Sequence, residues 1–184
     1  MPIDAETLRQ FRYYDTFIET GCGSGHGIDA ALAAGFKEVY SIELYRNKYQ
    51  PVRERFAGDL RVSVMLGNSA SILTGLLPAL EGGIVFWLDA HYDFAVRGEG
   101  NHLEDVQPIM GELEAIHKHS RFSHHTILID DWLDFITPKP WFHDITEHDI
   151  RDKILSISLT YRFRTVDGAA KDSILVAEIA KVSQ

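Results

Sequence analysis

The stretch Thr16-Phe17-Ile18-Glu19-Thr20-Gly21-Cys22-Gly23-Ser24-Gly25-His26-Gly27 decides how the rest of the chain is read. Its apolar start ends in an acid, four glycines then alternate with small or polar residues, and a helical pattern runs on from Ile28 to Ala34. That order fits a buried strand, a tight turn and a helix start. Glycine lets the backbone take positive φ and lets a ligand come close to the main chain. The N–H groups at the start of a helix add partial positive charge to such a turn. The expectation is a cradle for a nucleotide-type ligand.

Working outward, β-forming runs recur at Val39–Leu44, Val62–Leu66, Ile84–Leu88, Thr126–Ile129, Tyr161–Val166 and Ile174–Ala177. Helical patterns are predicted between them: Ser24–Ala34 stopped by Gly35, Arg46–Ala57 stopped by Gly58, Ser69 or Ser71 to Leu80, and Val106–His117. A further short helix should open at Thr146, where Thr146 and Asp149 have the spacing of a capping box. Alternation of strand and helix predicts an α/β, doubly wound, mostly parallel seven-stranded sheet with helices on both faces. The link between the last two strands is too short for a parallel crossover, which needs a dozen or more residues, so they should form a C-terminal antiparallel hairpin.

Composition narrows the classes. A chain of 184 residues with 45% hydrophobic content suits one core, and residues 1–184 read as a single domain. No apolar run approaches the roughly 20 residues of a membrane span, and the polar, acidic start Met1–Glu6 lacks a leader pattern. The expectation is a soluble, cytoplasmic protein with no membrane partner. The net charge of −9 argues against a nucleic-acid partner. Cys22 is the only cysteine, which rules out an intrachain disulfide and a thiolate cluster; it is either a reactive thiol in the turn or a small residue that fits there.

In doubly wound sheets ligands bind beyond the carboxyl ends of the strands, near the switch in strand order. Glu19, Glu43, Asn68, Asp89 and Asp130 each end or directly follow a predicted strand. The dinucleotide fingerprint requires glycine where His26 stands, so the spacing disfavours a nicotinamide enzyme. The pattern present is Glu-x-Gly-x-Gly-x-Gly. A carboxylate before the first glycine repels a pyrophosphate and suits a cationic amino-acid moiety, by sign of charge.

These residues resemble the class I S-adenosylmethionine-dependent methyltransferases along nearly the whole chain. The resemblance implies that Glu19, Gly21, Gly23 and Gly25 hold the methionine part of S-adenosylmethionine and that Glu43 accepts hydrogen bonds from both ribose hydroxyls. It further implies that Asn68 and Ser69, in the Gly67-Asn68-Ser69 segment, lie against the adenine, and that Asp89 borders the cofactor. Around the reaction the chain looks like the small-molecule O-methyltransferases of the catechol and macrolide-sugar type. They place carboxylates after strands four and five around a divalent ion, and Asp89, Asp130 and Asp131 match those positions as ligands for Mg2+. Asp89 and His91 are then the catalytic candidates, His91 as a fourth ligand or a general base. Metal-independent members of the fold instead leave these acids to cap a turn and border the cofactor.

The loops Tyr92–Asp105 and Trp132–Thr146 are long and carry Tyr92, Phe94, Trp132, Phe135, Trp141 and Phe142. They are expected to select a small-molecule acceptor, or to make an apolar face for a homodimer. His117, His119, His124 and His125 lie on or after a helix and read as surface residues. The expected activity is O-methylation of a sugar or polyketide-like molecule. The alternatives are a metal-independent N- or C-methyltransferase, and a binding subunit without transfer activity.

Overall fold

The computed structural model describes residues 3–90, 107–119, 124–137 and 145–179. Seven strands form one sheet in the order β3-β2-β1-β4-β5-β7-β6. They are β1 (Thr16–Thr20), β2 (Glu38–Glu43), β3 (Val62–Leu66), β4 (Ile84–Leu88), β5 (Thr126–Ile129), β6 (Tyr161–Val166) and β7 (Ile174–Ile179). The first five are parallel to one another, while β7 runs antiparallel to both β5 and β6. The predicted hairpin is present. Strand order reverses beside β1, which pairs with β2 on one side and β4 on the other.

Period-two alternation explains why both faces are covered. Ile18, Phe86, Leu88, Ile127 and Ile129 point to one face, packed by the helices that carry Leu73, Leu113, Ile116, Ile150 and Ile154. Phe17, Val85, Trp87, Leu128 and Val176 point to the other, against Leu8, Ile28, Ala31 and Val52. Strands covered on both sides must be apolar throughout, and Ile-Val-Phe-Trp-Leu in β4 is buried at every residue.

The helices are α1 (Ala5–Arg9), α2 (His26–Ala34), α3 (Arg46–Phe56), α4 (Ser69–Leu76), α5 (Ile109–His119), α6 (Trp132–Ile136) and α7 (Glu147–Ile157). Gly35 stops α2 in the left-handed conformation, its N–H reaching back to Ala31 and Leu32. Thr146 and Asp149 form the expected capping box on α7, which runs further than a short helix. Three expectations need correction. Asn68, not Ser69 or Ser71, caps α4, its side-chain oxygen accepting the Ser71 N–H at 3.1 Å. That helix gives way at Leu77 to a 3-10 turn, Leu77–Ala79, because Pro78 follows. Helix α6, five residues long, was invisible to periodicity because it spans little more than one turn.

The histidines depart furthest from expectation. His125 is buried, its Nδ1 accepting the Ile84 N–H at 3.2 Å, and Tyr161 donates its hydroxyl to the His125 carbonyl at 3.2 Å. It thereby ties the starts of β4, β5 and β6 together. Burial pulls its imidazole from 6.5 down to about 3, with repulsion from His119 and His124 adding to the effect. The unfolded chain therefore binds a proton near pH 6.5 that the folded chain refuses, so the stability from His125 is whole above pH 6.5 and drains away as pH falls toward 3. In urea titrations between pH 7 and 4, His125→Asn, which keeps an acceptor for Ile84 and cannot titrate, should show a shallower loss of stability than the wild type. Equal slopes would mean that His125 carries no linked proton.

Candidate functional site

The glycine turn joins β1 to α2 beside the reversal in strand order. Gly21, Gly23 and Gly25 all take positive φ, of 81°, 50° and 84°. At Gly21 the reason is proximity: its N–H donates to the Ile42 carbonyl at 2.8 Å, and a Cβ there would lie 2.4 Å from the Asp89 carbonyl oxygen. The turn is thus wedged between the ends of β2 and β4. At Gly23 a Cβ would meet no described atom within 4 Å, so the turn offers its main chain outward at that point.

Beneath the turn lies Glu19, only 2% exposed. Ser41 of β2 donates its hydroxyl to Glu19 Oε2 at 2.5 Å, and a Cβ on Gly27 would fall 1.8 Å from Oε1. Burial pushes the Glu19 carboxyl from 4.5 up to about 8, and the charges of Asp89, Glu43 and Asp29 add to the rise. Near neutral pH Glu19 is a largely protonated wedge that spaces α2 from β1 and β2.

Glu43, at the end of β2, is clamped by backbone donors. The Gly23 N–H reaches Oε2 at 3.2 Å and the Tyr45 N–H reaches Oε1 at 2.9 Å. A carboxylate offers about four lone-pair sites, so each oxygen retains capacity for a further donor. Gly23 and Glu43, twenty residues apart in the chain, thus form one unit at the carboxyl edge of the sheet. Cys22 is buried beside them, and its thiol is pushed far up by burial and by the Glu43 and Glu19 charges. It fills space rather than supplying a thiolate.

The remaining predicted residues are spread along the same edge. Asp89 follows β4, its N–H donating to the Thr20 carbonyl at 3.1 Å, and Asp130 follows β5 with its N–H on the Leu88 carbonyl at 3.1 Å. Asp131 takes a left-handed conformation with φ 50° and opens α6. Among the described residues no group of three or more His, Cys, Asp or Glu side chains could hold a metal ion. Asp89, Asp130 and Asp131, expected as an Mg2+ site, do not form such a group among the described residues. His91 lies outside the described residues, as do Tyr92, Phe94, Trp141 and Phe142.

One acid escaped the sequence reading. Glu112, on α5, is 1% exposed and accepts the hydroxyl of buried Ser69. It also stands in the wall of a cavity of about 10 Å³ at the ends of β4 and β5, with Leu88, Ala90, Ile109, Ile129, Asp130 and Phe135. Its only signal in the sequence was position, an acid on the apolar stripe Ile109-Leu113-Ile116.

The Glu19 wedge has a measurable consequence. Because its folded pKa of about 8 lies above 4.5, folding retains a proton that the unfolded chain releases, and stability falls as pH rises from 4.5 through 8. Glu19→Gln should flatten that decline in thermal melts between pH 5 and 9, melting above the wild type at the alkaline end. Gly27→Ala should cost about 1–3 kcal/mol, since its methyl would displace the buried Glu19 carboxyl; an unchanged melting temperature would contradict the wedge.

The sequence matches no family model and no curated protein. Solved structures do match. The S-adenosylhomocysteine-bound methyltransferase PaMTH1 of Podospora anserina aligns over 96% of this chain and 76% of its own, with a TM-score of 0.61 and 17% identity. A Staphylococcus aureus structure provisionally named a caffeoyl-CoA O-methyltransferase aligns over 96% and 82%, with a TM-score of 0.58 and 11% identity. An S-adenosylmethionine-dependent methyltransferase of Aquifex aeolicus aligns over 95% and 88%, with a TM-score of 0.52 and 16% identity. The chain has the class I, Rossmann-like fold of the S-adenosylmethionine-dependent methyltransferases, with the terminal antiparallel strands in place.

Proposed function

We propose that this protein is an S-adenosylmethionine-dependent methyltransferase that acts on a hydroxyl of a small molecule. The observation that carries the reading is the unit of Gly23 and Glu43. A carboxylate fixed by two backbone N–H groups stands at the rim of a glycine turn, beside the switch in strand order where such sheets bind ligands. A neighbour of the same fold was solved with S-adenosylhomocysteine bound, which supports the choice of ligand.

In this reading Glu19, Gly21, Gly23 and Gly25 hold the methionine end, Glu43 takes the two ribose hydroxyls, Asn68 and Ser69 lie beside the adenine, and Asp89 borders the cofactor. The cofactor supplies an electrophilic methyl group on a sulfonium. The protein's share is to place an acceptor in line with it and exclude water, since proximity and orientation alone can lower such a barrier substantially. Asp89, which follows the strand next to the glycine turn, is assigned to receive the acceptor's proton, together with His91.

No step is assigned to a metal, because Asp89, Asp130 and Asp131 do not form a ligand set. That same observation favours a second reading, metal-independent N- or C-methylation. Transfer of tritium from methyl-labelled cofactor to a panel of alcohols, phenols and amines separates the two, and no transfer to any of them would leave a binding subunit. For the cofactor itself, calorimetric titration should show S-adenosylhomocysteine binding and NADH not. Glu43→Ala should weaken that binding by about 100-fold or more, the loss of two charge-assisted hydrogen bonds to ribose. Unchanged affinity in Glu43→Ala would remove Glu43 from the site.

A further inference from the structure

We infer that Glu112 is a positioning residue: through Ser69 it sets the segment after β3 against the cofactor, from a helix that also walls the cavity at the ends of β4 and β5. The inference rests on the methyltransferase reading and deepens it, by naming a residue outside the glycine turn on which cofactor affinity depends.

Burial is the first observation. Charged side chains are almost never fully buried unless paired, yet Glu112 is 1% exposed. Its Oε1 accepts the hydroxyl of Ser69, which is itself 5% exposed, across 43 residues of chain. The second observation is how the two helices come close enough. A Cβ on Gly111 would lie 2.9 Å from the Cβ of Ala70, so the bare glycine lets α5 lie directly against the first turn of α4. Ala70 follows Ser69, and Gly111 precedes Glu112. The tight contact and the hydrogen bond therefore share one spot.

The third observation is where that spot lies. Asn68, immediately before Ser69, has its side-chain oxygen engaged by the Ser71 N–H, so the backbone of this segment is already set by the cap. The Gly67 N–H on the Glu43 carbonyl, at 2.9 Å, ties the start of the segment to β2. The Ser69–Glu112 bond ties its other end to α5, a helix whose first turn carries Ile109 and Glu112 into the cavity wall beside Leu88 and Asp130.

A purely structural role explains the pair poorly. Taking a carboxyl group out of water is costly, and apolar residues of similar volume commonly hold two helices together as well or better. Ala70 against Gly111 already provides close packing at this point. Positioning accounts for keeping a buried acid where a methionine would pack.

The test separates stability from affinity. Wild type, Ser69→Ala, Glu112→Met and the double variant are each melted without ligand and titrated calorimetrically with S-adenosylhomocysteine. The double variant removes both members of the pair, and its melting temperature measures what the pair contributes to stability. Its dissociation constant should rise about tenfold, with each single variant showing about the same rise and the two losses not adding. If Glu112→Met fails to fold, Glu112→Ala reports the loss of affinity from the acid's side, and Glu112→Gln, which keeps an acceptor for the Ser69 hydroxyl, should bind as the wild type does. Variants that bind like a binding wild type overturn the inference alone, as do losses that merely track lowered melting temperatures. A wild type that does not bind S-adenosylhomocysteine overturns the methyltransferase reading, and this inference with it.

Discussion

The architecture of the site depends on a single buried carboxyl. Glu19 ends β1 inside the sheet, takes a hydrogen bond from Ser41 of β2, and fills the space that a side chain on Gly27 would claim. Three elements thus meet on one group: the first strand, its neighbour and the helix after the glycine turn. Removing the carboxyl from water raises its pKa to about 8, so near neutral pH it serves as a mostly uncharged hydrogen-bonding spacer. Glycine at position 27 follows from Glu19, and glycine at position 21 follows from the Asp89 carbonyl. Only Gly23, open on its outer side, is set by what the turn must admit.

From that junction the polar groups divide into two kinds. Glu43 is held by backbone donors and points its remaining acceptor capacity along the edge of the sheet. Glu112 is held by a side chain from another helix and sits deep between layers. The first suits direct contact with a polar ligand, and the second suits control of the segment that makes contact. Both lie at carboxyl ends of strands, where parallel sheets expose main-chain groups and loops and where function concentrates.

The element order was largely legible in the sequence, for reasons that can be named. Strands β1, β3, β4, β5 and β6 begin and end as their β-forming runs do, because glycine, proline and polar residues punctuate them. The terminal hairpin followed from the length of one link. Helix α6 was missed because five residues cannot display a 3.6-residue period, and α4 was misjudged at both ends because the cap fell to an amide one residue earlier and Pro78 broke its last turn. His125 was read as a surface residue since nothing local marks a histidine that closes a sheet from below. No described helix is long and apolar enough to cross a membrane, in keeping with the reading of hydropathy along the chain.

Glycine spacing and hydrophobic periodicity are local properties, written within a few residues of one another. By itself, therefore, the sequence determined the strand–helix alternation, the turn at Gly21–Gly25 and the acid that faces it from Glu43. Burial and convergence are set by residues far apart in the chain, and only the tertiary structure could decide them. It buried Glu19 as a wedge with a raised pKa, set Ser41 and Gly27 against its carboxyl, and joined Ser69 to Glu112 across the helices. The physical reason is that a carboxyl group's charge and partners depend on what excludes water from it, which no stretch of chain records about itself.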